Sequence, residues 1–348
     1  MKIKINGRIC ENFTSISITR NLDSVASIFG FKVRFNSEND DHKELFKPLQ
    51  YHKVEIFKDN GGLMFTGVIL GYDFQSDSNF NLLSISGYSL SGILEDVTIP
   101  PSLYPLESNG KNLKEIAKRL CDAYGIGIVF DKSIDIELNR AFKRTTADSS
   151  ESVKSYISKL TSQRNILLSH NEKGNVVMFK PNANAKPKYY FNKENTLKMS
   201  SQWNGQAMHS VINVVRQPSK DNAGVSTVDR VKNTLIGVFR PTTKILSSGD
   251  DTDAKKAADN ELASELKNIT VKVELQGLFD DINTGDLINI HNHEIYSFAY
   301  SKWMVSSITL NKDESSETTS LDLVLPETYN SEMPKPILFY YESHKRHN

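Results

Sequence analysis

Apolar residues in the first hundred positions recur at every second residue. Ile3 and Ile5, Ile16 and Ile18, and Val33 and Phe35 share this spacing, which puts alternate side chains on one face of a half-buried strand. Residues 54–57 lead into Lys58-Asp59-Asn60-Gly61-Gly62 and then the run 63–69. Asn60-Gly61 between two apolar runs is a hairpin signal, because glycine accepts the positive φ of a tight turn. A further strand is expected over 82–87. Strands this short, joined by turns, predict a small barrel or sandwich.

The period changes after Pro100-Pro101 and Pro105. Leu113, Ile116, Ala117, Leu120, Cys121 and Tyr124 fall on one helical face, and Gly125 ends it at a C′ position. Residues 126–130 read as a strand. Asp148 with Glu151 resembles a capping box before a second helix carrying Val153, Tyr156, Ile157 and Leu160. A hairpin follows, from 166–169 through Lys173-Gly174-Asn175 to 176–179.

The remainder returns to β with one helix inserted. Residues 211–215 form a strand and 217–234 a long polar loop. Asp250, Asp251 and Asp253 cap a helix with Ala254, Ala257, Ala258, Leu262 and Leu266 on one face. Ile269, Val271, Val273 and Leu275 then alternate, followed by strands over 285–290, 303–310 and 321–325, the last two separated by a charged turn at 311–318. The fold class expected is α+β, mostly β. Four parts are expected: a barrel-like domain at 1–97, an α+β insert at 98–190, a second barrel-like domain with one helix at 191–330, and a tail at 331–348. The tail's apolar run at 337–341 either docks on another subunit or partner, or packs on its own body.

Composition narrows the function. The chain has 348 residues, with 42 Lys and Arg against 42 Asp and Glu. Zero net charge excludes a globally basic nucleic-acid binder, whose affinity rests on many phosphate-neutralising cations. Cys10 and Cys121 are the only cysteines, so neither a disulfide framework nor a thiolate metal cage is available, as suits a reducing cytoplasm. The start of the chain alternates like a strand and lacks the apolar core of a signal peptide. No window approaches the ~18 apolar residues of a membrane span, so no membrane insertion is expected.

Candidate chemistry is sparse. His291-Asn292-His293-Glu294 is the one concentrated set of ligand types. Residues i and i+2 of a strand share a face, so both imidazoles can meet one metal. Further ligands are not indicated, and a polar loop between strands is the favoured reading. Gly125 follows a helix, whereas phosphate-binding loops precede one. No Gly-x-Ser-x-Gly elbow or His-Glu-x-x-His helix occurs. Carboxylate pairs for glycoside hydrolysis are defined by spatial separation and stay open. Trp203 and Trp303 are read as core or interface residues in preference to sugar-stacking platforms. No catalytic, cofactor-binding or metal residue is therefore assigned, no cofactor is expected, and the chain is read as a non-enzyme.

Three strings resemble one family. They are the hairpin 54–69 with Phe65-Thr66-Gly67, and the string at 85–96 (Ile85-Ser86-Gly87-Tyr88-Ser89-Leu90-Ser91-Gly92-Ile93-Leu94-Glu95-Asp96), followed by the helix at 113–124 and Gly125-Ile126. The third runs from the helix at 254–266 through Gly285-Asp286-Leu287 to Leu321-Asp322-Leu323-Val324-Leu325-Pro326. In their succession they are similar to the baseplate hub proteins of Mu-like contractile-tailed bacteriophages, grouped with the late control protein D family. Two positions depart from it: Tyr88 stands where the family commonly has arginine, and Ile93 where it has an acid.

The resemblance implies a structural tail protein, a homotrimer whose two barrel-like domains per chain make a pseudo-sixfold ring. Such a ring joins the hexameric tail tube, or a tube adaptor, to the trimeric central spike, contacts surrounding wedge proteins, and lets DNA pass on ejection without binding it. Its place is the virion baseplate, after assembly in the host cytoplasm. The alternatives are the hub portion of a non-contractile tail tip or of a type VI-like secretion spike, and a cell-wall-degrading tail enzyme. The enzyme is disfavoured because the chain ends about twenty residues past the third segment. Residues 101–190 hold 15 basic and 9 acidic side chains, while 1–100 hold 10 and 12 and 191–348 hold 17 and 21. The positive middle segment is expected outside, with the other two lining the bore.

Overall fold

Phe13–Asn21 and Lys302–Asp313, from opposite ends of the chain, lie side by side as antiparallel strands, with Ile18 facing Leu310. This pairing is the keystone of the computed structural model, which describes residues 1–10, 13–76, 81–143, 145–216, 228–246, 254–297 and 302–330. On one side of it the sheet continues through Ile28–Arg34, Leu82–Ser89, Leu63–Gln75, Lys53–Phe57 and Lys2–Ile5 to Arg8–Cys10. On the other it runs through Glu317–Val324 and Ile269–Gln276 to Lys198–Trp203. Leu287–His291 branches off Lys302–Asp313 and pairs in parallel with Tyr189–Asn192.

The chain is mostly β, as the alternation predicts. Its two β segments are hydrogen-bonded into one 13-stranded sheet, and no closed barrel is found among the described residues. The core is shared accordingly. Ile3, Ile5, Ile16, Ile18, Phe29, Phe31 and Phe65 form one buried cluster with Val271, Val273, Trp303, Ile308, Leu310, Leu321 and Leu323. The strand Ile269–Gln276 shows why: every second side chain is buried, from Ile269 to Leu275.

The insert has its own core. Leu113, Ile116, Ala117, Leu120 and Cys121 on the helix Leu113–Asp122 pack with Tyr156, Ile157 and Leu160 on the helix Val153–Ser162. A small sheet completes it, with Val176–Phe179 between parallel Ile128–Phe130 and antiparallel Leu167–His170. Asn112 and Glu115 make a reciprocal capping box on the first helix, and Gly125 sits past its end at φ +67°. The second helix starts differently from the Asp148 expectation. Its cap is Ser152, which accepts from the Ser155 N–H, while the Asp148 carboxylate is occupied by Ser150. Val25 and Leu94 of the first segment also enter this core, so it is continuous with the chain leading into it.

A third unit carries another correction. The stretch 217–234 was expected as one loop, yet Val228–Lys232 is a strand, antiparallel to Val211–Arg216. Pro241–Leu246 pairs in parallel on the far side of Val211–Arg216. The helix Ala254–Leu266 packs on this sheet through Ala254, Ala257 and Ala258 against Val214 and Leu246. Its expected caps, Asp250, Asp251 and Asp253, lie outside the described residues. The charged turn is shorter than expected. The strands run to Asp313 and from Glu317, and the Asp313 carboxylate accepts from the backbone N–H and hydroxyl groups of Ser315 and Ser316. These bonds favour the ionised form and hold its pKa at about 2.

Candidate assembly surfaces

An edge strand exposes a row of unpaired N–H and C=O groups, which makes it a template for another chain. Among the described residues, the longest path through the main sheet ends on two such strands, and Tyr189–Asn192 ends its branch. Arg8–Cys10 pairs, among the described residues, with Lys2–Ile5 alone and presents Ile9, 58% exposed. Lys198–Trp203 likewise pairs, among the described residues, with Ile269–Gln276 alone. Its sequence, KMSSQW, gives it only a half-buried inner face at Met199 and Ser201.

At the end of the second edge, Trp203 meets Tyr296 edge to face, with ring centroids 6.2 Å apart. The indole N–H donates to Ser201, whose hydroxyl donates to the Ile295 carbonyl at 2.6 Å. Ser201, Trp203, Glu294, Ile295 and Tyr296 line a shallow hollow there. Leu197 is exposed nearby along the chain. Exposed aromatics that carry a satisfied polar handle are the residues that interfaces favour. A further edge, Pro241–Leu246, presents Ile245 and follows Val238 and Phe239, the last 85% exposed.

The two tryptophans separate clearly. Trp303 is in the core, and Trp203 lies on the surface. His291 and His293 stand at the end of Leu287–His291 and on the turn His293–Ile295, with their Nε2 atoms 3.1 Å apart. Among the described residues no group of three or more His, Cys, Asp or Glu is placed to hold a metal. Cys10 and Cys121 are both free and buried, and burial pushes each thiol up to about 12, far from the reactive thiolate range. The apolar run at 337–341 lies outside the described residues. Sequence reasoning missed Arg8–Cys10, Lys198–Trp203 and Pro241–Leu246, because an exposed polar strand such as KMSSQW or PTTKIL lacks the alternation that marks a half-buried one.

Two of the three strings carry a glycine set against a facing backbone. A Cβ on Gly67 would lie 2.1 Å from the Tyr88 carbonyl oxygen, and one on Gly87 2.0 Å from that of Val68. Tyr88, the departure from the family's arginine, donates its hydroxyl to Asp96 at 2.8 Å and lays its ring against Gly92. Burial first, then the Asp96 hydrogen bond, raises its pKa well above the usual phenol value.

Residues 92–180 match the family model of the baseplate hub protein gp44-like second domain. The chain is similar to the Mu-like baseplate hub proteins. It is 27% identical over 175 residues, half of its length, to the baseplate hub protein gp44 of Escherichia phage Mu, and the match spans 44% of that protein. The hub fold extends further than the sequence match. The 43 kDa tail protein of prophage MuSo2 from Shewanella oneidensis superposes with a TM-score of 0.79 at 19% identity, covering 94% of this chain and 99% of that one. A tail protein from Neisseria meningitidis MC58 gives 0.78 at 17%, covering 95% and 98%. A more distant likeness, 0.56 at 9% over 97% of this chain and 80% of that one, is to the E. coli c3393 protein, a component of the type VI secretion system.

Proposed function

We propose that this chain is a structural, non-enzymatic hub of a phage tail baseplate, working as a homotrimer between the tail tube and the central spike. The observation that carries the reading is the likeness to Mu-like tail proteins along nearly the whole chain, together with the gp44-like match at 92–180. The free strand edges support assembly. Arg8–Cys10 and Lys198–Trp203 end the same sheet, and a closed ring of copies would cover edges that a monomer leaves open. Three copies contribute six β segments, which suits a junction between a sixfold tube and a threefold spike. Wedge proteins would meet the outside, and DNA would cross the bore without specific contacts. Assembly in the host cytoplasm and a place in the virion baseplate follow from the same reading. The division at 97, 190 and 330 is kept as the working domain description.

The fold is also that of secretion-system components, so a hub portion of a secretion spike or of a non-contractile tail tip is the second reading. A sheath gene and a separate spike gene beside this one would favour the contractile baseplate. Native mass measurement of the full chain, alone and with the spike, tests the proposal. The expected species is three times the 39.2 kDa chain mass. A strict monomer under both conditions would overturn it.

A further inference from the structure

The Nε2 atoms of His291 and His293 face one another at 3.1 Å, with ring centroids 4.9 Å apart and ring planes at 85°. A divalent transition ion bonds imidazole nitrogen at about 2.0–2.1 Å, so two such ligands lie about 2.9 Å apart at a right angle and about 3.4 Å apart at the tetrahedral angle. The observed separation falls between these values and corresponds to an N–metal–N angle of about 98°. Two rings aimed at a single ion at that angle would have centroids about 4.8 Å apart, whereas a straight N–H···N contact of the same length would put them about 5.4 Å apart. The ring separation is close to that of two nitrogens sharing one ion, and the contact itself is a hydrogen bond between the two rings.

Each ring is held from outside. His291 ends the strand Leu287–His291 and stacks on Tyr190, with centroids 6.4 Å apart and planes at 28°. His293 opens a tight turn fixed by Asn292, whose side chain accepts from the Glu294 N–H while its carbonyl accepts from Ile295 and Ser297. Tyr296 closes the turn in the left-handed region at φ +62° and donates its N–H to the His293 carbonyl. Lys193 pairs with Glu294 at 2.6 Å and neutralises the neighbouring carboxylate. Both imidazoles are exposed; water or groups of a second molecule would fill the remaining coordination positions.

We propose that His291 and His293 form a two-imidazole surface site for a borderline divalent ion of the Zn2+, Ni2+ or Cu2+ class. Nitrogen donors suit these ions, whereas Mg2+ and Ca2+ require oxygen ligands. The site stands independently of the hub reading. Its test is calorimetric titration of the untagged full chain with ZnCl2 and NiCl2, with MgCl2 as a control. One saturable site per chain is expected for Zn2+ and Ni2+ and none for Mg2+, with His291→Ala and His293→Ala each weakening binding by at least about tenfold. Loading with Cu2+ should give an electron paramagnetic resonance spectrum with coupling to two imidazole nitrogens, reduced to one in either variant. Absence of saturable binding, or equal affinity in the parent and both variants, would overturn the proposal.

Discussion

Gly67 and Gly87 show what single residues do in this sheet. Both sit mid-strand, where glycine ordinarily weakens pairing, yet the facing backbone leaves no space for a methyl group. Gly87→Ala would drive its Cβ into the Val68 carbonyl and the Phe29 ring, the latter at 2.7 Å. The Val68 carbonyl cannot retreat without breaking the ladder. Gly87→Ala is expected to cost about 3 kcal/mol or to prevent folding, whereas Gly61→Ala, at a turn with open space and φ +87°, should cost about 1 kcal/mol. Chemical denaturation of both variants checks the contrast. The family strings containing these glycines were legible in the sequence, but their reason was not, since it lies in the partner strand.

His170 shows a second residue effect. Its Nδ1–H donates to the Asn171 carbonyl at 3.1 Å, its Nε2 is buried without a partner, and its ring meets Phe65 edge-on. Burial lowers its pKa and the Arg20 charge lowers it further, against the opposing effects of the Asn171 carbonyl and Glu172. The unfolded chain thus binds this proton more readily than the folded one. His170 stability is complete above the ordinary imidazole value of about 6.5 and declines as the pH falls from there towards the lower folded value. Thermal melts between pH 7.5 and 5 should show the parent losing stability more steeply than His170→Gln.

At the scale of elements, legibility followed burial. Ile269–Gln276 and the helices Leu113–Asp122 and Val153–Ser162 were readable because each buries one face at its own period. The helix Asp40–Leu45 has no fully buried residue and rests on the core through Leu45 alone of its apolar residues, so no helical stripe marks it in the sequence. Val228–Lys232 and Pro241–Leu246 were hidden by the same exposure that makes the latter a candidate contact. The second insert helix is a finer case, because both Asp148 and Ser152 are capping residue types and only the backbone decides between them. Ser152→Ala is expected to lower stability by about 1 kcal/mol, and Asp148→Ala by less, as read by thermal denaturation.

For the whole molecule, what the sequence concealed is which strands meet. Periodicity divides the chain into consecutive β, α+β and β parts, but nothing in it states that Phe13–Asn21 will pair with Lys302–Asp313. The two β segments consequently share one core and one sheet, with free edges at the two ends of its main path and at the branch strand Tyr189–Asn192. Ile9→Lys, on an exposed edge residue, should leave monomer stability within about 0.5 kcal/mol while reducing the assembled fraction in native mass spectra. The charge pattern also belongs to this scale. With the basic excess confined to 101–190, the bore of the assembled ring is expected to be neutral to acidic, because a conduit lined with cations would retain DNA. A strongly basic bore would contradict that arrangement.

The most direct measurement is a reconstruction of the assembled tail carrying this protein. The account predicts three copies in a threefold ring at the junction of tube and spike, with sheet edges meeting between neighbours. Absence of the chain from that junction, or its presence there in any number other than three, would contradict the account.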